Sequence, residues 1–201
     1  MPGAEFLSLL GSAMPALRHV TVNTNGGDIG SDGLFNGLQL CRQLSTLHLE
    51  EFTIGRAAVK PAAAALAQLP ALRELSIYTR GRDLAGLVEQ LTCLTALDLS
   101  AEQRDEDDTA IPRALATAAR NPALQAFKLS PGNDFQPDAA DLQHLLEACP
   151  ALSDLDLESA TPCRLMRWRC SSRAAPASLP CQLRSLQLRS AWQTGRAHGS
   201  A

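Results

Sequence analysis

Cys149-Pro150-Ala151-Leu152-Ser153-Asp154-Leu155-Asp156-Leu157 joins a proline turn to the phrase Leu-x-x-Leu-x-Leu. The last three positions of the phrase, apolar-x-apolar, alternate as a half-buried strand does. The first Leu stands three residues earlier and enters the core from the turn. With an occasional Val, Ile or Phe, the phrase recurs as Leu17-Val20-Val22, Leu44-Leu47-Leu49, Leu72-Leu75-Ile77, Leu94-Leu97-Leu99, Leu124-Phe127-Leu129 and Leu183-Leu186-Leu188. The seven first positions are 27, 28, 22, 30, 28 and 31 residues apart. Self-similarity at that period is the mark of a solenoid. A strand of about four residues cannot fold alone, so each needs a neighbour on either side.

The intervals read as helices. Pro61 to Leu69 opens on a proline at a plausible first helical position and continues in strong helix formers. Asp83 to Leu91 sets Leu84, Leu87, Val88 and Leu91 at helical spacing, and Ile111 to Ala119 and Asp138 to Ala148 read alike. Leu69-Pro70-Ala71-Leu72 and Asn121-Pro122-Ala123-Leu124 repeat the turn quoted above. Proline there stops a helix and favours an extended residue before it.

This alternation resembles the leucine-rich repeat family over about residues 5–190, and its longer intervals are similar to the ribonuclease-inhibitor-like class. The family's asparagine after the strand stands here only at Asn25. The resemblance implies an α/β horseshoe. A parallel sheet of about seven short strands lines its concave side, and helices cover its convex side.

The chain has 201 residues, 45% of them apolar and only 4% aromatic, which suits a core of Leu and Ala layers. One repeat array over 1–190 is expected, cut at both ends, with 191–201 as a disordered tail. No stretch is long and apolar enough to span a membrane, and the N-terminus lacks the basic region of a signal peptide. Cys41, Cys93, Cys149 and Cys181 each precede a phrase by one to three residues, which suits small buried thiols rather than disulfides. A cytoplasmic or nuclear protein is expected. Charge is uneven: residues 1–158 carry a net −10 and residues 159–201 a net +7. The basic part includes the segment Arg164–Arg173, with Trp168 inside it.

Catalytic signatures are lacking. The loop Asn25 to Gly33 has neither phosphate-loop nor dinucleotide spacing, and as a calcium loop it would carry Gln39 where the bidentate Glu belongs. His19, His48, His144 and His198 form no metal pair, and no serine sits in a nucleophile elbow. Cys163, Cys170 and Cys181 match no common zinc spacing. No enzyme, cofactor or metal is expected.

Side chains alternate along a strand, so the x positions of seven stacked phrases make outward rows. The first is His19, Thr46, Glu74, Ala96, Ala126, Asp154, Ser185; the second is Thr21, His48, Ser76, Asp98, Lys128, Asp156, Gln187. The third is Asn23, Glu50, Tyr78, Ser100, Ser130, Glu158, Arg189. Strands ~4.8 Å apart give a face about 29 Å wide, which suits a protein segment and is too open for a small molecule. Acidic character disfavours nucleic acid, whose phosphates need positive charge. The expected partner-binding residues are His48, Glu50, Tyr78, Asp98, Lys128, Asp154, Asp156 and Glu158, taking a protein partner of basic character. The expected function is a non-catalytic protein-interaction module. The alternative is the substrate-recognition part of an F-box-type ubiquitin ligase subunit, by analogy of fold alone.

Overall fold

The computed structural model describes residues 14, 16–23, 35, 37–52, 56–79, 84–88, 90–101, 110–130, 139–159 and 185–190. Every phrase becomes a strand: β1 (His19–Asn23), β2 (Thr46–Phe52), β3 (Glu74–Thr79), β4 (Ala96–Ala101), β5 (Ala126–Ser130), β6 (Asp154–Ser159) and β7 (Ser185–Ser190). They form one sheet in the order β1-β2-β3-β4-β5-β6-β7, every pair parallel. Between them lie α1 (Arg56–Ala67), α2 (Leu84–Val88), α3 (Ala110–Ala118) and α4 (Ala139–Ala148). Each helix packs on the next, as each strand pairs with the next. This is the α/β solenoid expected from the phrase, with an all-parallel sheet of short strands on one side and helices on the other.

The inward positions build the core. Leu47, Leu75, Leu97, Phe127 and Leu155 stand opposite one another in register and are all buried. Leu49, Ile77, Leu99, Leu129 and Leu157 make a second buried row. The first Leu of the phrase supplies a third layer in Leu44, Leu72, Leu94, Leu124 and Leu152. Against these lie Leu66 of α1, Leu87 and Val88 of α2, Leu115 and Ala118 of α3 and Leu142 and Leu145 of α4, in one continuous cluster. Burying each Leu contributes roughly 1.5–3 kcal/mol, so the stack of layers rather than any single repeat holds the chain together. The side chain of Leu186 lies outside the described residues.

A hydrogen-bond fork repeats at the entries of β2 to β6. The carbonyl of Arg18 accepts the N–H groups of Ser45 and Thr46 at 2.9 and 3.0 Å. Ser45 O does the same for Arg73 and Glu74, Arg73 O for Thr95 and Ala96, Thr95 O for Gln125 and Ala126, and Gln125 O for Ser153 and Asp154. These forks fix the register before the ladder begins, so the first two outward rows are straight lines of partners.

The helices differ from expectation in detail. Helix α1 starts at Arg56, so Pro61 lies inside it rather than at its first position. Pro61 is exposed, and on the solvent side a carbonyl released from the ladder can be hydrated. Helix α2 has only five residues, ending at Val88, because 22 residues separate Leu72 from Leu94. Cys41 and Cys149 are buried free thiols, whereas Cys93 is exposed. Cys93 directly precedes its Leu, whereas the buried Cys41 and Cys149 stand three residues before theirs. Cys163, Cys170, Cys181, the segment Arg164–Arg173, the loop from Asn25 to Gly33 and the ends 1–13 and 191–201 lie outside the described residues.

Candidate functional site

The helices cover one face of the sheet, and the other face carries the outward rows. Burial alternates along the strands: Ala126, Lys128 and Ser130 of β5 are half-buried while Phe127 and Leu129 are buried. The first two rows fall as expected. Thr46, Glu74, Ala96, Ala126, Asp154 and Ser185 are successive partners, and so are Thr21, His48, Ser76, Asp98, Lys128, Asp156 and Gln187.

These rows line a groove of about 490 Å³ that runs across the middle strands. His48, Glu74, Asp98, Lys128, Asp154 and Asp156 edge it, and Ala96 and Ala126 leave its centre low. Five of the eight expected site residues, His48, Asp98, Lys128, Asp154 and Asp156, therefore share one surface. Lys128 Nζ lies 3.6 Å from Asp98 Oδ2, and Ser100 Oγ donates to Asp98 Oδ1 at 3.2 Å. Thr46 Oγ1 donates to Glu74 Oε2 at 3.3 Å, and Ser153 Oγ lies 2.7 Å from Asp154 Oδ2. Glu74, Asp98 and Asp154 are held in place by neighbouring hydroxyls and, for Asp98, by one cation, and carboxylates outnumber basic groups along the groove.

The third row is interrupted. Leu49 pairs with Ile77 but Phe52 pairs with Thr79, so Glu50 and Glu51 together stand against Tyr78. Glu51 adopts φ 50°, the left-handed region that costs a non-glycine residue about 1–2 kcal/mol. The extra residue is a β-bulge, a device that re-aims side chains at a sheet margin. Glu50 turns toward β1, where Asn23 Nδ2 donates to its Oε2 at 3.2 Å. Tyr78 is half-buried opposite Ser100, beside the groove rather than in it. Glu158 stands opposite Arg189 in the β6–β7 register, and both side chains lie outside the described residues.

His19 and His48 sit in different rows, with partners Thr46 and Thr21, so they make no pair. Among the described residues no group of three His, Cys, Asp or Glu is placed to hold a metal. Also among the described residues, no helix is long and apolar enough to cross a membrane. Burial raises the thiol pKa of Cys41 and pushes that of Cys149 up to about 11, so neither is a ready nucleophile.

Sequence reasoning missed Asn121, which is fully buried at the turn before β5. Its Oδ1 accepts the Leu94 N–H at 3.0 Å and its Nδ2 donates to Thr117 O at 3.4 Å. A polar residue where other turns carry Leu or Cys was the available signal.

No family model and no curated protein matches the chain. Among solved structures, the chain is similar to the actin-binding site 2 of leiomodin-1, with 13% identity and a TM-score of 0.39 over 76% of this chain and 77% of that one. It is also similar to an internalin (inlF) from Listeria monocytogenes str. 4b F2365, with 15% identity and a TM-score of 0.38 over 78% of this chain and 61% of that one.

Proposed function

We propose that the chain is a non-catalytic protein-binding module of ribonuclease-inhibitor-like repeat class, taking a basic segment of a protein partner on its strand face. The observation that carries this reading is the acid-edged groove across β2 to β6. Its outward side chains are ordered by register yet covered by no other described element. An open groove would leave most of a small ligand wet, whereas a protein segment can lie along the whole row. Nucleic acid is opposed by the charge, because phosphates would face Glu74, Asp98, Asp154 and Asp156. A partner presenting Lys or Arg would be drawn by the same carboxylates, mainly through a faster encounter that salt screens. Tyr78 supplies the aromatic anchor at the margin.

The test uses a partner recovered by pull-down with the 201-residue chain. Combining Tyr78→Ala with Asp156→Arg is expected to abolish its binding while the fold is retained. Normal binding by that double variant, with loss on substituting the Arg164–Arg173 segment, would move the functional surface off the strand face.

A further inference from the structure

We infer that Asn121 couples the shortened fourth repeat to the fifth, by supplying from its side chain the hydrogen-bond acceptor that the fourth turn does not supply itself. This inference stands independently of what the strand face binds.

Four turns close on their own backbone. Leu44 N–H is accepted by Cys41 O at 2.9 Å, Leu72 by Leu69 at 3.3 Å, Leu124 by Asn121 at 3.0 Å and Leu152 by Cys149 at 3.0 Å. The corresponding N–H in the fourth repeat, that of Leu94, goes instead to Asn121 Oδ1 at 3.0 Å. The bond that ends the helix is the same as elsewhere: Leu91 N–H is accepted by Val88 O at 3.0 Å, as Cys41 is by Leu38, Leu69 by Leu66 and Asn121 by Ala118. The chain then runs from Leu91 to Leu94 without a turn. Leu94 is fully buried, so without a protein acceptor its N–H would be an uncompensated polar group.

At two of the turns the residue type at the head matches what it meets in the preceding repeat. Cys149 meets carbonyls of a turn already closed, with Sγ 3.5 Å from Ala118 O and 3.3 Å from Asn121 O, and a thiol is a weak donor. Asn121 meets a backbone donor in need of an acceptor, and an amide oxygen provides one. Its NH2 group is directed back to Thr117 O, so the buried amide is bonded at both ends. In a solenoid each repeat is stabilised only by its neighbours. Asn121 therefore secures the junction of β4 and β5, where Asp98 stands opposite Lys128.

Two measurements on the full chain test this. In the unmodified protein, a through-hydrogen-bond scalar coupling between the Leu94 amide nitrogen and the Asn121 side-chain carbonyl carbon is expected. In Asn121→Cys, which installs the residue used at the same place in two other turns, amide exchange at Leu94 should accelerate about tenfold or more relative to Leu72. The denaturant transition should also broaden or split. Absence of the coupling in the unmodified chain, or unchanged exchange at Leu94 in the variant, overturns the inference. If the variant does not fold, the coupling alone decides.

Discussion

Lys128 and Asp98 stand directly opposite on β5 and β4, with Nζ 3.6 Å from Oδ2 at the centre of the strand face. On its other side Lys128 is the register partner of Asp156. One cation thus sits between two carboxylates across three strands. Both members of the 3.6 Å pair are more than a third exposed, so the pair orders the face more than it stabilises the fold. Lys128→Ala is expected to cost no more than about 0.2–1 kcal/mol in denaturant melts. Lys128→Glu should cost more, since it aligns like charges across neighbouring strands, and the excess should shrink in high salt.

Leu97 lies in the middle of the inward row, between Leu75 and Phe127. Leu97→Ala is expected to destabilise the chain by about 2–5 kcal/mol through lost burial and the cavity left behind. A loss under about 1 kcal/mol would show that the phrase does not carry the core.

The bulge at Glu51 makes a prediction of opposite sign. Glycine reaches φ 50° without the Cβ clash, so Glu51→Gly should leave stability unchanged or raise it. Glu51→Val should lower it by more than about 1 kcal/mol, because a β-branched residue is worse there than Glu. Thermal melts of the two variants check the order.

Burial holds the Cys149 thiol protonated up to about pH 11, against an ordinary value of 9.0. Below pH 9 the thiol is protonated in folded and unfolded chains alike, and this group adds no pH dependence. Between pH 9 and about 11 the unfolded chain ionises first, so stability falls as pH rises. The loss is on the order of 2 kcal/mol at the top of that window. In Cys149→Ala the alkaline decline should be shallower by that amount. Alkylation at pH 8 should modify Cys93 well before Cys41 or Cys149, since only Cys93 is exposed among these three.

Much of this molecule was legible from the phrase alone, because period two fixes which side chains face out and the near-constant interval fixes which of them align. That is why His48, Asp98, Lys128 and Asp156 could be set in one row from sequence. The third row was not legible by counting. One extra residue at Glu50–Glu51 shifts the register, and its trace is the spacing Leu47, Leu49, Phe52, which breaks strict alternation. The early start of α1 was hidden because Pro61 looks like a helix beginning. Cys93 shares with Cys41 and Cys149 a place just before a phrase, but it stands one residue from its Leu rather than three, and it is exposed where they are buried. In the sequence Asn121 shows itself only as part of a proline turn. Its acceptor role depends on an N–H in the preceding repeat, a relation between turns that no single turn displays.

Whether a partner sits on the strand face can be read by site-specific photo-crosslinking in cells. A photoreactive amino acid would be placed at Ser76 or Ser100 on the strand face, and at Ala64 or Gln143 on exposed helix positions. A discrete protein adduct is expected from Ser76 and Ser100, lost on Asp156→Arg, and none from Ala64 or Gln143. Adducts from the helix positions with none from the strand face would contradict a partner on that face.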